Sequence, residues 1–195
     1  MALVVISGGA RSGKSSAAQR LAETRAASGA QVVYAVFGQA VGDPEFAERV
    51  ERHRSVRPAA FATVEARDSL SWRDQVPEDA LLVVECLGTL VAMVMSEIRE
   101  GGGTPETGVD PLQLLGGRVD ELIAWLVRRG ADTIVVTNET GWGVVPAYES
   151  GRTFRDVLGR ANATLTTASD AAYLAVAGRL IDLTSLPADV PWPSE

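Results

Sequence analysis

Histidine, cysteine and lysine each occur once in this 195-residue chain, as His53, Cys86 and Lys14. A lone cysteine excludes an internal disulfide framework and suits a reducing compartment. One cysteine and one histidine fall short of the four ligands of a structural zinc site. Long apolar runs are missing too: the stretch from Ala80 to Met95 is interrupted by Glu85 and is shorter than the roughly 20 residues needed to span a bilayer. The opening MALVVISGGARSGKS lacks a basic n-region and a cleavage-like end, so it reads as a buried strand and not a signal peptide. A cytoplasmic protein without a membrane span is expected. Basic residues are in deficit, giving a net charge of −7, which argues against nucleic acid as a partner because such binding needs many Lys and Arg on phosphates. An anionic ligand must meet a local positive site.

What is present is an ordinary globular composition, 46% apolar and 22% charged, at a length that fits one domain over residues 1–195. Strand-length apolar runs occur at Leu3 to Ile6, Val32 to Phe37, Ala80 to Val84, Thr133 to Thr137 and Ala171 to Ala177. Several are nearly continuous, as strands covered on both faces should be. Between them the spacing predicts helices over Ser15 to Ala27, Pro44 to Arg54, Leu87 to Arg99, Pro111 to Arg129 and Ser150 to Ala168. This alternation predicts an α/β fold, a mostly parallel sheet flanked by helices. EGGGTPETGVDP, residues 100 to 111, reads as a surface loop, and the proline-rich LPADVPWPSE as a trailing end.

The strongest local signal is GGARSGKS, comprising Gly8, Gly9, Ala10, Arg11, Ser12, Gly13, Lys14 and Ser15, which satisfies the phosphate-binding pattern G-x-x-x-x-G-K-[ST]. An apolar strand precedes it and a helical segment follows. In such a loop the backbone N–H groups point at phosphate oxygens and the new helix adds its positive end. Lys14 then reaches the β and γ phosphates and the Ser15 hydroxyl joins a Mg²⁺ shell. Every other basic side chain is one of seventeen arginines, and an ammonium and a guanidinium are not interchangeable in a phosphate cradle. Glu85 ends ALLVVE at the carboxyl end of a predicted parallel strand, where it either sits near Mg²⁺ or caps the following helix. Cys86 reads as a small buried packing residue, since nothing near it in sequence would activate a thiol.

A guanine-reading N-K-x-D is absent, the nearest segment being Asn138-Glu139-Thr140-Gly141, which argues against a switch GTPase. A small-molecule kinase would need only the loop, Mg²⁺ and an acceptor pocket, and would leave His53 idle. Yet His53 lies in RVERHRSVRP, the densest cluster of positive charge in the chain. Neighbouring arginines favour a neutral, nucleophilic imidazole and can bind the phosphate it attacks. Arg54 and Arg57, at i and i+3, would face one ligand if the helix continues, with Pro58 ending it. The plainer reading is a solvated basic face.

Taken together and in order, GGARSGKS, RVERHRSVRP, VVECLGTLV, VTNETGWGVVP and RTFRDVLGRAN resemble the bifunctional adenosylcobinamide kinase/adenosylcobinamide-phosphate guanylyltransferase family of cobalamin biosynthesis, over nearly the whole chain. The resemblance implies a RecA-like P-loop NTPase fold and a homotrimer. It implies two reactions: ATP or GTP phosphorylates adenosylcobinamide, and GTP then donates GMP to adenosylcobinamide phosphate through a guanylyl-histidine. That histidine falls on His53 in the pattern H-x-x-x-R-P. Nucleotide contacts fall on Gly8 to Ser15, on Arg54, Ser55, Val56 and Arg57, and on Glu65 and Glu85. Another contact would fall near Ala35 to Phe37, where YAVFGQA replaces the usual Y-I-A-T-A and lacks its hydroxyl. Ala163 replaces a common Gln after Asn162, and Asn138, Glu139, Gly141, Gly143 and Pro146 match a loop placed near the active site. The competing expectations are a monofunctional P-loop kinase and a non-enzymatic, nucleotide-gated regulatory protein. The base preference of the kinase step and the sharing of nucleotide sites between residues 8–15 and His53 are left open by the sequence.

Overall fold

The computed structural model describes residues 1–38, 48, 51, 54–101 and 110–189. Seven strands form one sheet: β1 Leu3–Gly8, β2 Val32–Val36, β3 Ala62–Glu65, β4 Leu81–Glu85, β5 Thr133–Val136, β6 Ala171–Val176 and β7 Arg179–Asp182. Their spatial order is β3-β2-β4-β5-β1-β6-β7, parallel throughout except for β7, which runs antiparallel to β6. The helices are α1 Lys14–Ala27, α2 Leu87–Glu100, α3 Pro111–Arg128 and α4 Glu149–Ala168. The expected α/β architecture is therefore present, with β5 inserted between the strand that feeds the glycine-rich loop and the strand that ends in Glu85.

The continuous apolar runs follow from burial on both faces. Val5, Leu82, Val84 and Val135 point into a core shared with α2, α3 and α4, whereas Ile6, Leu81, Val83, Ile134 and Val136 meet α1 on the other side. In α1 the buried positions after Lys14 are alanines 17, 18 and 22, small enough to let the helix lie close on the sheet. On the opposite face fully buried Trp72 packs edge-on against Phe37 at 5.1 Å and Trp125 at 5.3 Å, with its indole N–H donating to the Ser69 carbonyl at 3.0 Å.

Two strands escape the sequence reading. β3 shows exposed, exposed, buried, exposed and lies at the sheet edge, so it has no continuous apolar run. β7 is exposed at every position and exists because Ala177 and Gly178, both at positive φ, close a two-residue hairpin onto β6. The predicted helix over Pro44 to Arg54 falls mostly outside the described residues; Arg54 and Ser55 are helical and the helix stops before Val56. The predicted loop at 100 to 111 and the proline-rich end also lie largely outside them.

Candidate nucleotide site

Parallel strands deliver their carboxyl ends to one edge of the sheet, and that edge collects the chemistry-bearing residues. Register places Glu65 opposite Val36, Val36 opposite Glu85, and Glu85 opposite Val136. The two carboxylates thus share a row, separated by one strand. Gly8, at the end of β1, begins the loop.

Loop closure depends on backbone that only glycine adopts easily. Gly8 has φ 153°, and a Cβ there would lie 2.6 Å from both the Ala175 carbonyl oxygen and Ser12 Oγ. Gly13 has φ 99° and immediately precedes α1, where a Cβ would stand 3.2 Å from Gly178 Cα. The Gly178 N–H donates to the Ser12 carbonyl at 2.9 Å, so the β6–β7 turn braces the loop from behind. Gly9, Ala10 and Arg11 are exposed along its rim, while Ser12 Oγ is buried with no hydrogen-bond partner among the described residues. An unmatched buried hydroxyl in a phosphate-binding loop fits an incoming oxyanion.

Lys14 is only 8% exposed and its Nζ donates to the Gly9 carbonyl at 2.9 Å. Burial pushes its ammonium below the usual lysine range, and the electrostatic pull of Cys86 and Glu85 opposes that shift. The same Glu85 receives Arg57, whose Nη2 lies 3.8 Å from Glu85 Oε2 with both side chains largely buried. Arg57 lies over the Tyr34 ring at 4.2 Å, Tyr34 stacks on Phe61 at 6.0 Å, and Arg57 Nη1 donates to Thr63 Oγ1 at 2.9 Å. Gln19 of α1 donates to the Val56 carbonyl at 3.0 Å, tying the basic segment to the helix of the phosphate loop. Glu85 is thus the ion-pair partner of Arg57 and also favours the charged form of Lys14.

The helix ends before Val56, so Arg54 and Arg57 do not share one helix face. Arg54 is 71% exposed and lies 3.9 Å from the equally exposed Glu65, while Arg57 turns inward. Ser55 and Val56 are exposed, and His53 lies outside the described residues. Around Ala35 to Phe37 the Ala35 and Phe37 side chains are buried in the core and Val36 is partly buried. Glu85 does not cap α2 either. Cys86 is the N-cap, half-buried and not fully enclosed, and Thr89 holds it by accepting from its N–H at 3.2 Å and donating to its carbonyl at 2.7 Å.

Ser15, at the start of α1, and Glu85 are the groups available to a divalent cation. Among the described residues no three His, Cys, Asp or Glu side chains cluster as a metal site. A hydroxyl and one carboxylate beside a phosphate cradle match Mg²⁺, which keeps most of its ligands as water and substrate phosphate.

Sequence and structure meet at this edge. A family described as cobinamide kinase / cobinamide phosphate guanyltransferase matches residues 4–183. The chain belongs to this family. It is 37% identical over 182 residues to the bifunctional adenosylcobalamin biosynthesis protein CobU of Salmonella typhimurium LT2, covering 90% of this chain and 96% of that protein. Identity is 35% over 180 residues to the protein of the same name from Escherichia coli K12, covering 90% and 96%. It is 34% over 176 residues to the bifunctional adenosylcobalamin biosynthesis protein CobP of Pseudomonas aeruginosa, covering 89% and 92%.

Within this family member, the sequence reading missed a buried polar network behind the site. Thr137 Oγ1 donates to Asn162 Oδ1 at 2.6 Å, Asn162 Nδ2 donates to the Asn138 carbonyl at 3.0 Å, and the Cys86 thiol donates to Asn138 Oδ1 at 3.3 Å. The Glu139 N–H donates to the Gly8 carbonyl at 3.1 Å, so the network reaches the phosphate loop. An Asn at a core-facing helical position was the available signal. Asn162→Ala is expected to lower unfolding free energy by about 1–3 kcal/mol, because it removes the partner of the Thr137 hydroxyl and of the Asn138 carbonyl. A denaturant titration checks this; an unshifted midpoint would show that the network does not contribute.

Proposed function

We propose that this protein phosphorylates the aminopropanol hydroxyl of adenosylcobinamide with ATP or GTP, and then transfers GMP from GTP to the resulting phosphate. The observation that carries the proposal is the Gln19–Val56 hydrogen bond, which ties the helix begun by buried Lys14 to the basic segment whose Arg57 reaches Glu85. In the kinase step Lys14, Ser12 and the backbone amides of residues 8–15 hold the triphosphate. The acceptor hydroxyl forms a bond to the γ phosphorus as the bond to the β-phosphate oxygen breaks, and the hydroxyl proton leaves to solvent or a base.

In the second step a neutral His53 nitrogen attacks the α phosphorus of GTP. A P–N bond forms, the bond to the β-phosphate oxygen breaks, and pyrophosphate departs. A phosphate oxygen of adenosylcobinamide phosphate then attacks the same phosphorus, the P–N bond breaks, and adenosyl-GDP-cobinamide leaves with the imidazole restored. Arg54, Ser55, Val56 and Arg57 line the approach of the phosphates, and Glu65 and Glu85 supply acceptors for nucleotide hydroxyls or metal-bound water. Mg²⁺ held by Ser15 and Glu85 would spread the charge developing on the transferring phosphate.

No described helix is long and apolar enough to cross a membrane, and a cytoplasmic location accords with a single cysteine. A homotrimer accords with the exposed edge strand β7, whose Leu180 and Ile181 are about half exposed. Incubation with adenosylcobinamide, GTP and Mg²⁺ should give a phosphorylated corrinoid, then a corrinoid heavier by GMP with release of pyrophosphate, seen by mass spectrometry. A product that stops at the phosphate would refute the transferase half.

A further inference from the structure

The loop from β5 to α4 is uncharged and apolar where it meets solvent. From Thr140 to Tyr148 it holds no Asp, Glu, Lys or Arg. Trp142 is 77% exposed, Val144 96%, Val145 60% and Tyr148 80%. Large side chains so displayed mark a contact surface more often than chance exposure, particularly when four occur within seven residues.

The loop is held at both ends. At its start the Glu139 N–H is bound to the Gly8 carbonyl and Glu139 Oε1 accepts from the Gly141 N–H at 2.8 Å. At its end Arg152 Nη1 donates to the Pro146 and Ala147 carbonyls at 3.0 and 2.8 Å. Gly151 leaves room for Pro146, since a Cβ there would approach its ring carbon to 2.9 Å. The apolar side chains therefore belong to an anchored frame whose first residue is tied to Gly8 of the phosphate loop.

Charge decides what could cover such a surface. The phosphates of a nucleoside triphosphate gain nothing from an uncharged loop, and Lys14 and the cradle already serve them. The other reactant must bring a hydroxyl to the same phosphate, and a corrinoid is a broad macrocycle rimmed with methyl groups and neutral amides. We propose that Thr140 to Tyr148 forms the docking surface for the corrin ring, with Trp142, Val144, Val145 and Tyr148 making the apolar contact and the aminopropanol arm turned toward Gly8. This rests on the reading of the site as a cobinamide kinase.

The test separates corrinoid binding from nucleotide binding in steady-state phosphorylation of cobinamide. Trp142→Ala, and a double Val144→Ser, Val145→Ser variant, are expected to raise the KM for cobinamide about tenfold or more and leave the KM for ATP within about twofold. Trp142→Phe should recover most of the loss, because a flat ring is restored. Sedimentation should give the same mass for all variants. An unchanged cobinamide KM in a protein that does phosphorylate cobinamide overturns the docking surface alone. A fall in assembled mass overturns it also, assigning the loop to contact with a second copy of the chain. A wild-type protein that does not phosphorylate cobinamide overturns the kinase reading, and the docking surface with it.

Discussion

His53→Ala should erase the covalent nucleotide from this enzyme. With Mg²⁺ and GTP labelled at the α phosphate, wild-type protein is expected to retain label after denaturation, labile to acid and stable to base as a phosphoramidate is. The variant should retain none, and formation of the GDP-corrinoid should fall by about 10³-fold or more, the loss typical when a nucleophile is removed from a two-step transfer. The phosphorylated corrinoid should still accumulate, because that step draws on the phosphate loop. Label persisting in the variant would place the nucleophile elsewhere.

Lys14→Ala is the second large effect. Phosphorylation of cobinamide should slow by about 10³-fold, equivalent to about 4 kcal/mol of lost transition-state stabilisation at 1.36 kcal/mol per decade. The buried ammonium is held within its own loop by the Gly9 carbonyl before nucleotide arrives. Lys14→Arg should not restore the rate: a planar guanidinium does not fit a position 8% exposed and enclosed by its own loop. A near-normal rate in either variant, measured at saturating nucleotide, would remove this lysine from the transfer step.

The central strands were legible because each is buried on both faces, and such burial writes a continuous apolar run into β1, β2, β4 and β5. β3 and β7 were not, since an edge strand needs no such run and β7 owes its place to a two-residue turn at Ala177 and Gly178. The glycine-rich loop was legible because its function demands particular residue types at fixed spacing. Arg57 and Arg54 were equivalent basic residues in sequence, and their fates diverge because the helix stops between them. One becomes a buried partner of Glu85 beneath the face of Tyr34, and the other an exposed neighbour of Glu65.

By itself, then, the sequence determined the class of sheet, the phosphate cradle with its single lysine, and the candidate nucleophile, all of which depend on local pattern or on residue identity. Tertiary structure decided what lies beside what. Strand register put Glu65 and Glu85 in one row, the order β4-β5-β1 set the distance from Glu85 to the loop, and Asn162 joined a network with Thr137 and Asn138 across 25 and 24 residues of chain. No spacing in the sequence encodes those neighbours, because strand pairing brings together segments whose separation along the chain is set by the helices between them.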